Sequence, residues 1–229
     1  MFRQMGVSSV TWLSISRELR LPAMYPDAVA TAVIALFWLF IAVRGVIRGT
    51  RRPGRPNWTV VILYLLLAIG GEGFFAQALC ATGVIKPRSS FQWPAGYVSG
   101  VVATEDGNQI VPLTPVSRIQ IYDSQWHFIT GWYVNTGGGD FKVQPSPEGM
   151  IEVFTARGRR HYSFTQDGHL ISSEGYSADF SSLTGGESLV VPTSPFLWIF
   201  SSPFLSWGVG AIGLIGLVIT KKIDPTVKL

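Results

Sequence analysis

From Ser188 to Thr220 the chain carries no charged residue, and from Phe196 onward it becomes a long apolar stretch ended by Lys221 and Lys222. A bilayer core of roughly 30 Å needs about 20 mostly apolar helical residues, so this stretch is long enough to cross one. Two earlier segments meet the same test: 28–47, uncharged through Val43 with Arg44 close enough to its end to snorkel, and 58–79, whose one charge is Glu72. Composition agrees. Only 14% of the 229 residues are charged, 47% are hydrophobic and mean hydropathy is +0.31, against about 25% charged in soluble domains. An ordinary water-soluble enzyme is not expected.

The net charge of +4 does not describe a nucleic-acid surface, because the charges are segregated. Residues 81–195 hold seven basic side chains (Lys86, Arg88, Arg118, Lys142, Arg157, Arg159, Arg160) against ten acidic ones. Most of the other basic residues flank apolar runs, which is a topology signal. Arg48, Arg51, Arg52 and Arg55, with Arg44 beside them, mark the 48–57 connector as cytoplasmic. They outnumber Arg3, Arg17 and Arg20 of the N-terminal arm. The expected organisation is an extracytoplasmic or interfacial arm at 1–24 and a transmembrane hairpin at 25–85. An extracytoplasmic β domain at 86–195, a third span at 196–220 and a cytoplasmic tail at 221–229 follow. Residues 1–24 lack the uninterrupted apolar core and small-residue cleavage pattern of a secretory signal, so the first span is read as retained. The expected location is a bacterial inner membrane.

Between the second and third spans, short β-type runs alternate with turn chemistry. Strands are predicted at 97–103, 109–113, 118–122, 127–134, 141–144, 150–155, 161–165 and 169–172. The acid–glycine pairs Asp106-Gly107, Glu148-Gly149 and Asp167-Gly168 supply the positive φ of tight hairpins. The fold class expected is therefore an α+β membrane protein: three transmembrane helices plus a small antiparallel all-β domain with a blade-like meander.

Residues Asp140 to Ile171 resemble one repeat of the NHL-type β-propeller family. A strand leads through Pro147-Glu148-Gly149 to a second strand, through Arg157-Gly158-Arg159-Arg160 to a third, and through Asp167-Gly168 into a fourth. Ser117 to Trp132 resembles the second half of another repeat. About one and a half units cannot close a ring of blades, so the resemblance implies local blade-like sheet topology and carries over no catalytic residue. The open edges and half-exposed apolar face of such sheets are expected to be covered by the 96–113 hairpin, another subunit or the membrane surface.

Chemistry-bearing patterns are sparse. The single cysteine, Cys80, and the histidines His127, His161 and His169 make no zinc set, and no histidine lies in a span to hold a haem. No metal, cofactor or catalytic residue is assigned. His161 and His169 flank the Asp167-Gly168 turn, close enough in sequence to meet across it, and Gly137-Gly138-Gly139 reads as an inter-unit loop. Candidate contact residues are Glu72, expected to hydrogen-bond a neighbouring helix, and the small-residue stripe Ser202, Ser206, Gly210 and Gly213. The basic turn Arg157, Arg159 and Arg160 and the aromatics Trp126, Trp132 and Tyr133 complete the set. Trp58, Trp93, Trp198 and Trp207 are read as interfacial anchors, and Pro203 as a kink in the third span.

These features point to a non-catalytic accessory or structural subunit of a larger membrane complex (respiratory, photosynthetic or transport). Its partners are then other membrane subunits and the lipid bilayer, with no nucleic acid. Two alternatives stay open: an extracytoplasmic sensor or glycan-binding module using Trp126, Trp132 and Tyr133, and a membrane enzyme or transporter centred on Glu72.

Overall fold

The computed structural model describes residues 26–50 and 56–223. The N-terminal arm, the arginines at 51, 52 and 55, and the end of the tail lie outside the described residues. Three helices, α1 (Pro26–Thr50), α2 (Trp58–Ala81) and α3 (Pro203–Ile223), are each long and apolar enough to cross a membrane. They enclose two antiparallel sheets in the chain, which gives an α+β fold.

Small residues set the helix packing. A Cβ on Gly70 would stand 2.1 Å from the Gly210 backbone nitrogen, so α2 and α3 touch backbone to backbone. Trp38 of α1 lies over Gly71, and its Nε1 donates to the Leu67 carbonyl at 2.9 Å. Asn57 caps α2 by accepting from the Val60 amide.

The third helix begins at Pro203, not at Phe196, and Pro203 does not kink it. Pro195–Ser201 is a 3-10 helix, and Pro203 takes the first helical position of α3, where a missing N–H costs nothing.

The first sheet has strand order β4-β3-β2-β1-β9, from β1 (Gly96–Ala103), β2 (Gln109–Leu113), β3 (Arg118–Tyr122), β4 (Phe128–Tyr133) and β9 (Glu187–Val191). The second is a four-stranded meander, β5 (Phe141–Pro145), β6 (Ile151–Thr155), β7 (Arg160–Phe164) and β8 (Leu170–Gly175). It covers the stretch that carries the repeat-like pattern, and the sheets do not close into a ring. Gly107, Gly149 and Gly168 all have positive φ, as the acid–glycine pairs require. β9 is additional to the predicted strands; it returns to pair with β1, Tyr97 opposite Val190.

The two sheets face each other. Ile110, Ile119, Ile121, Trp132 and Val134 pack on Phe141, Val143, Ile151, Val153, Tyr162 and Phe164, so the meander's apolar face is covered by the first sheet itself. The other face of the first sheet is also covered, because Cys80 at the end of α2 joins Val98, Val111, Leu113 and Tyr122 in a second cluster. Every residue of β3 is buried as a result. The sheet is the middle layer, clamped between the meander and the end of the helix bundle.

Candidate functional site

Around Glu72 the sequence Gly70-Gly71-Glu72-Gly73 divides its neighbours by direction. Gly70 admits the backbone of α3, Gly71 admits Trp38 of α1, and Gly73 admits the Phe200 ring and the Ser206 hydroxyl. The helical advance of about 100° per residue leaves Glu72 on the side these elements do not fill. Its Oε1 is buried without a hydrogen-bond partner, so the expected bond to a neighbouring helix is not made among the described residues. Buried polar atoms normally have a partner.

Glu72 lines a cleft of about 590 Å3 between α2, the 91–94 loop and the 195–201 turn. Ala68, Ile69, Gly73 and Ala76 form its floor, Phe91, Trp93 and Pro94 its roof, and Leu197 and Phe200 its side. Gln92 and Trp93 also carry polar side-chain atoms there, and both are engaged within the chain, Gln92 Nε2 donating to the Tyr122 hydroxyl at 3.4 Å and the Trp93 indole to Phe200.

Two buried polar residues of β3 fix the roof. Gln120, fully buried, donates from Nε2 to the Trp93 carbonyl at 2.9 Å and accepts from the Trp93 amide at 2.7 Å. Arg118, 1% exposed, donates to the carbonyls of Pro87 (3.1 Å), Arg88 (3.0 Å) and Phe91 (2.8 Å). Burial holds its guanidinium below the ordinary arginine range. The Trp93 indole donates to the Phe200 carbonyl at 3.1 Å, which ties roof to side wall. Ser206 closes the far corner: its hydroxyl donates to Ile199 O at 2.7 Å and accepts from Gln77 Nε2 at 3.1 Å. Sequence reading did not single out Arg118 or Gln120. The available signal was the alternation Arg118-Ile-Gln120-Ile-Tyr122, which puts three polar groups on one strand face.

The other candidates are dispersed. Ser206, Gly210 and Gly213 are buried against α2 of the same chain, Gly213 over Leu63 and Leu67, and Ser202 precedes α3. Trp132 points between the sheets beside Phe164 and Gly168, Trp126 packs on Tyr122, and Tyr133 lies on the opposite strand face near Gly83 and Lys86. The three do not form one platform. Arg157 donates to Gly137 O, Arg160 to Ser173 Oγ, and exposed Arg159 takes a positive φ in the same turn.

His161 and His169 are not brought together. His161 Nε2 contacts Glu152 Oε2, and His169 pairs with Asp167. Ser163 Oγ donates to the same Glu152 oxygen at 2.7 Å, so His161 is not placed to take the Ser163 proton and the trio is no nucleophile relay. Among the described residues no group of three or more His, Cys, Asp or Glu is arranged to hold a metal. The chain matches no known protein-family model and no curated protein sequence.

Proposed function

We propose that this chain is a non-catalytic accessory subunit of a larger membrane complex. Its three helices sit in a bacterial inner membrane, with the arginine-dense connector in the cytoplasm and the β domain outside. The segregation of basic residues beside apolar runs supports that orientation. The observation that carries the subunit reading is the outer edge of β8, which is unpaired among the described residues. There this strand is bonded only to β7, and it presents two successive aliphatic residues, Leu170 and Ile171, each 55% exposed. An open apolar edge is a ready template for another chain, and the blade-like meander behind it is a unit that elsewhere stacks against neighbours. The interlocked helix end and first sheet give a partner a rigid support on both sides of the lipid boundary.

The test is purification of the full chain in mild detergent. Other membrane polypeptides are expected to co-migrate, and Ile171→Lys is expected to release them while leaving the unfolding midpoint of the chain unchanged. Migration of the wild type as a free monomer would overturn the reading. Protease applied to right-side-out vesicles checks orientation: cleavage is expected within 86–195.

A further inference from the structure

We propose that the Glu72 cleft binds an amphiphile that enters from the lipid phase, placing a hydrogen-bond-donating head, hydroxyl or amine, on Glu72 Oε1. Its apolar body lies against Phe91, Trp93, Leu197 and Phe200. The inference rests on the reading that the helices cross a membrane, and goes beyond the role of subunit.

Three features of the cleft support it. Glu72 lines the cleft, and its buried Oε1 has no donor among the described residues, where a buried polar atom normally has one. The walls are otherwise mainly apolar, the Gln92 amide and the Trp93 indole being bonded within the chain, and about 590 Å3 lies within the roughly 300–1,000 Å3 typical of small-molecule sites. Finally, the cleft is preformed. Arg118 and Gln120, both buried, direct their hydrogen bonds to the roof loop, and Trp93 joins that roof to the 195–201 turn. Burying an arginine and a glutamine is costly unless they are well bonded. Here the bonds they make, with the packing of Trp93 on the Cys80, Val98 and Tyr122 cluster, hold the loop over Glu72.

Shape selects the class of occupant. The floor residues Ala68 to Ala76 span about 12 Å of helix, and the 91–94 roof closes the domain end. A helix of another subunit laid along α2 would run into that roof. A compact head fits beneath it, with a chain trailing along α2. Hydroquinones and ethanolamine phospholipids share this chemistry.

The experiment uses the full chain reconstituted with three probes: decyl hydroquinone, dioleoylphosphatidylethanolamine and dioleoylphosphatidylcholine, whose head has no donor. Retention is read by native mass spectrometry. At least one donor-headed probe is expected to be retained about tenfold over phosphatidylcholine, and which one identifies the source. Glu72→Leu is expected to abolish the preference, and Ala76→Phe, which fills the floor without touching Glu72, to lower retention of the preferred probe. Equal retention of all three by the wild type would overturn the proposal. So would an unchanged preference in Glu72→Leu, or crosslinking from position 76 to another polypeptide in place of lipid. Alkaline carbonate separates the two levels. A chain that stays in the membrane pellet yet shows no preference loses only this site, whereas a chain released by carbonate loses the membrane reading as well.

Discussion

Gln120 holds Trp93 by both of its backbone groups, accepting from the amide at 2.7 Å and donating to the carbonyl at 2.9 Å, across 27 residues of chain. The side-chain amide thus acts as a piece of sheet, pairing the roof loop to β3 where no strand is available. Replacement by leucine keeps the approximate volume but orphans two peptide groups. The expected cost for Gln120→Leu is about 2–3 kcal/mol, read as a lower unfolding midpoint. Faster hydrogen exchange at the Trp93 amide would locate the loss.

Arg118 supports the same loop two residues earlier on the strand. Its guanidinium has no carboxylate partner in the hydrogen bonds it makes; three carbonyls share the charge. Lysine keeps the charge but presents one nitrogen instead of a planar fork, so it cannot reach all three. We expect Arg118→Lys to destabilise by about 2 kcal/mol and Arg118→Met by about 3 kcal/mol or more. Limited proteolysis in the 82–95 connection should accelerate in the same order. Equal behaviour of both variants and wild type would show that the loop is held by packing alone.

The turn after β3 gives a pH-dependent signal. Asp123 accepts from the His127 and Gln125 amides, both at 2.8 Å, and its other oxygen meets His127 Nδ1. The His127 amide bond is the main cause that holds this exposed carboxyl below the ordinary aspartate value of about 3.9. A depressed carboxyl contributes stability that is present above its unfolded pKa and is lost as pH falls through the folded one. The turn at 123–127 is therefore expected to stay closed at pH values above the ordinary aspartate range and to loosen as pH falls below it. Carboxyl carbon NMR should give Asp123 a midpoint below that of an unperturbed aspartate, and Asp123→Asn should remove the pH dependence of amide exchange at Gln125 and His127.

Much of this architecture is legible in the sequence because it depends on local chemistry. Apolar length gives the helices, and the acid–glycine pairs give the hairpins of both sheets. β9 is hidden because Glu187–Val191 leads into the uncharged run before α3 and acquires strand character only by pairing with β1, about 90 residues earlier. Pro203 is ambiguous for a different reason: proline both breaks and starts helices, and the 3-10 helix before it decides which. Glu72 stands out in sequence as the lone charge in a span, but its surroundings do not. The roof over it comes from Arg118 and Gln120, whose alternation with isoleucine reads equally well as a strand face turned to water. Trp126, Trp132 and Tyr133 lie close in sequence, yet strand alternation sends Trp132 and Tyr133 to opposite faces.

The backbone contact of Gly70 with Gly210 makes a sharper test of the helix bundle than any polar residue in it. An added methyl on Gly70 would meet backbone atoms of α3 at 2.1, 2.5 and 2.6 Å, and backbone cannot rotate aside as a side chain can. The helices would have to separate, breaking the contacts that Gly213 makes with Leu63 and Leu67 one turn further along. Overpacking of this kind typically costs about 1–3 kcal/mol. Gly208, on the same helix as Gly210, has nothing within 4 Å of its added methyl, and alanine there should gain about 0.5–1 kcal/mol from helix propensity in water. Thermal unfolding in detergent is therefore expected to fall for Gly70→Ala and to hold or rise for Gly208→Ala. The reverse order would mean that α2 and α3 do not cross at these two glycines.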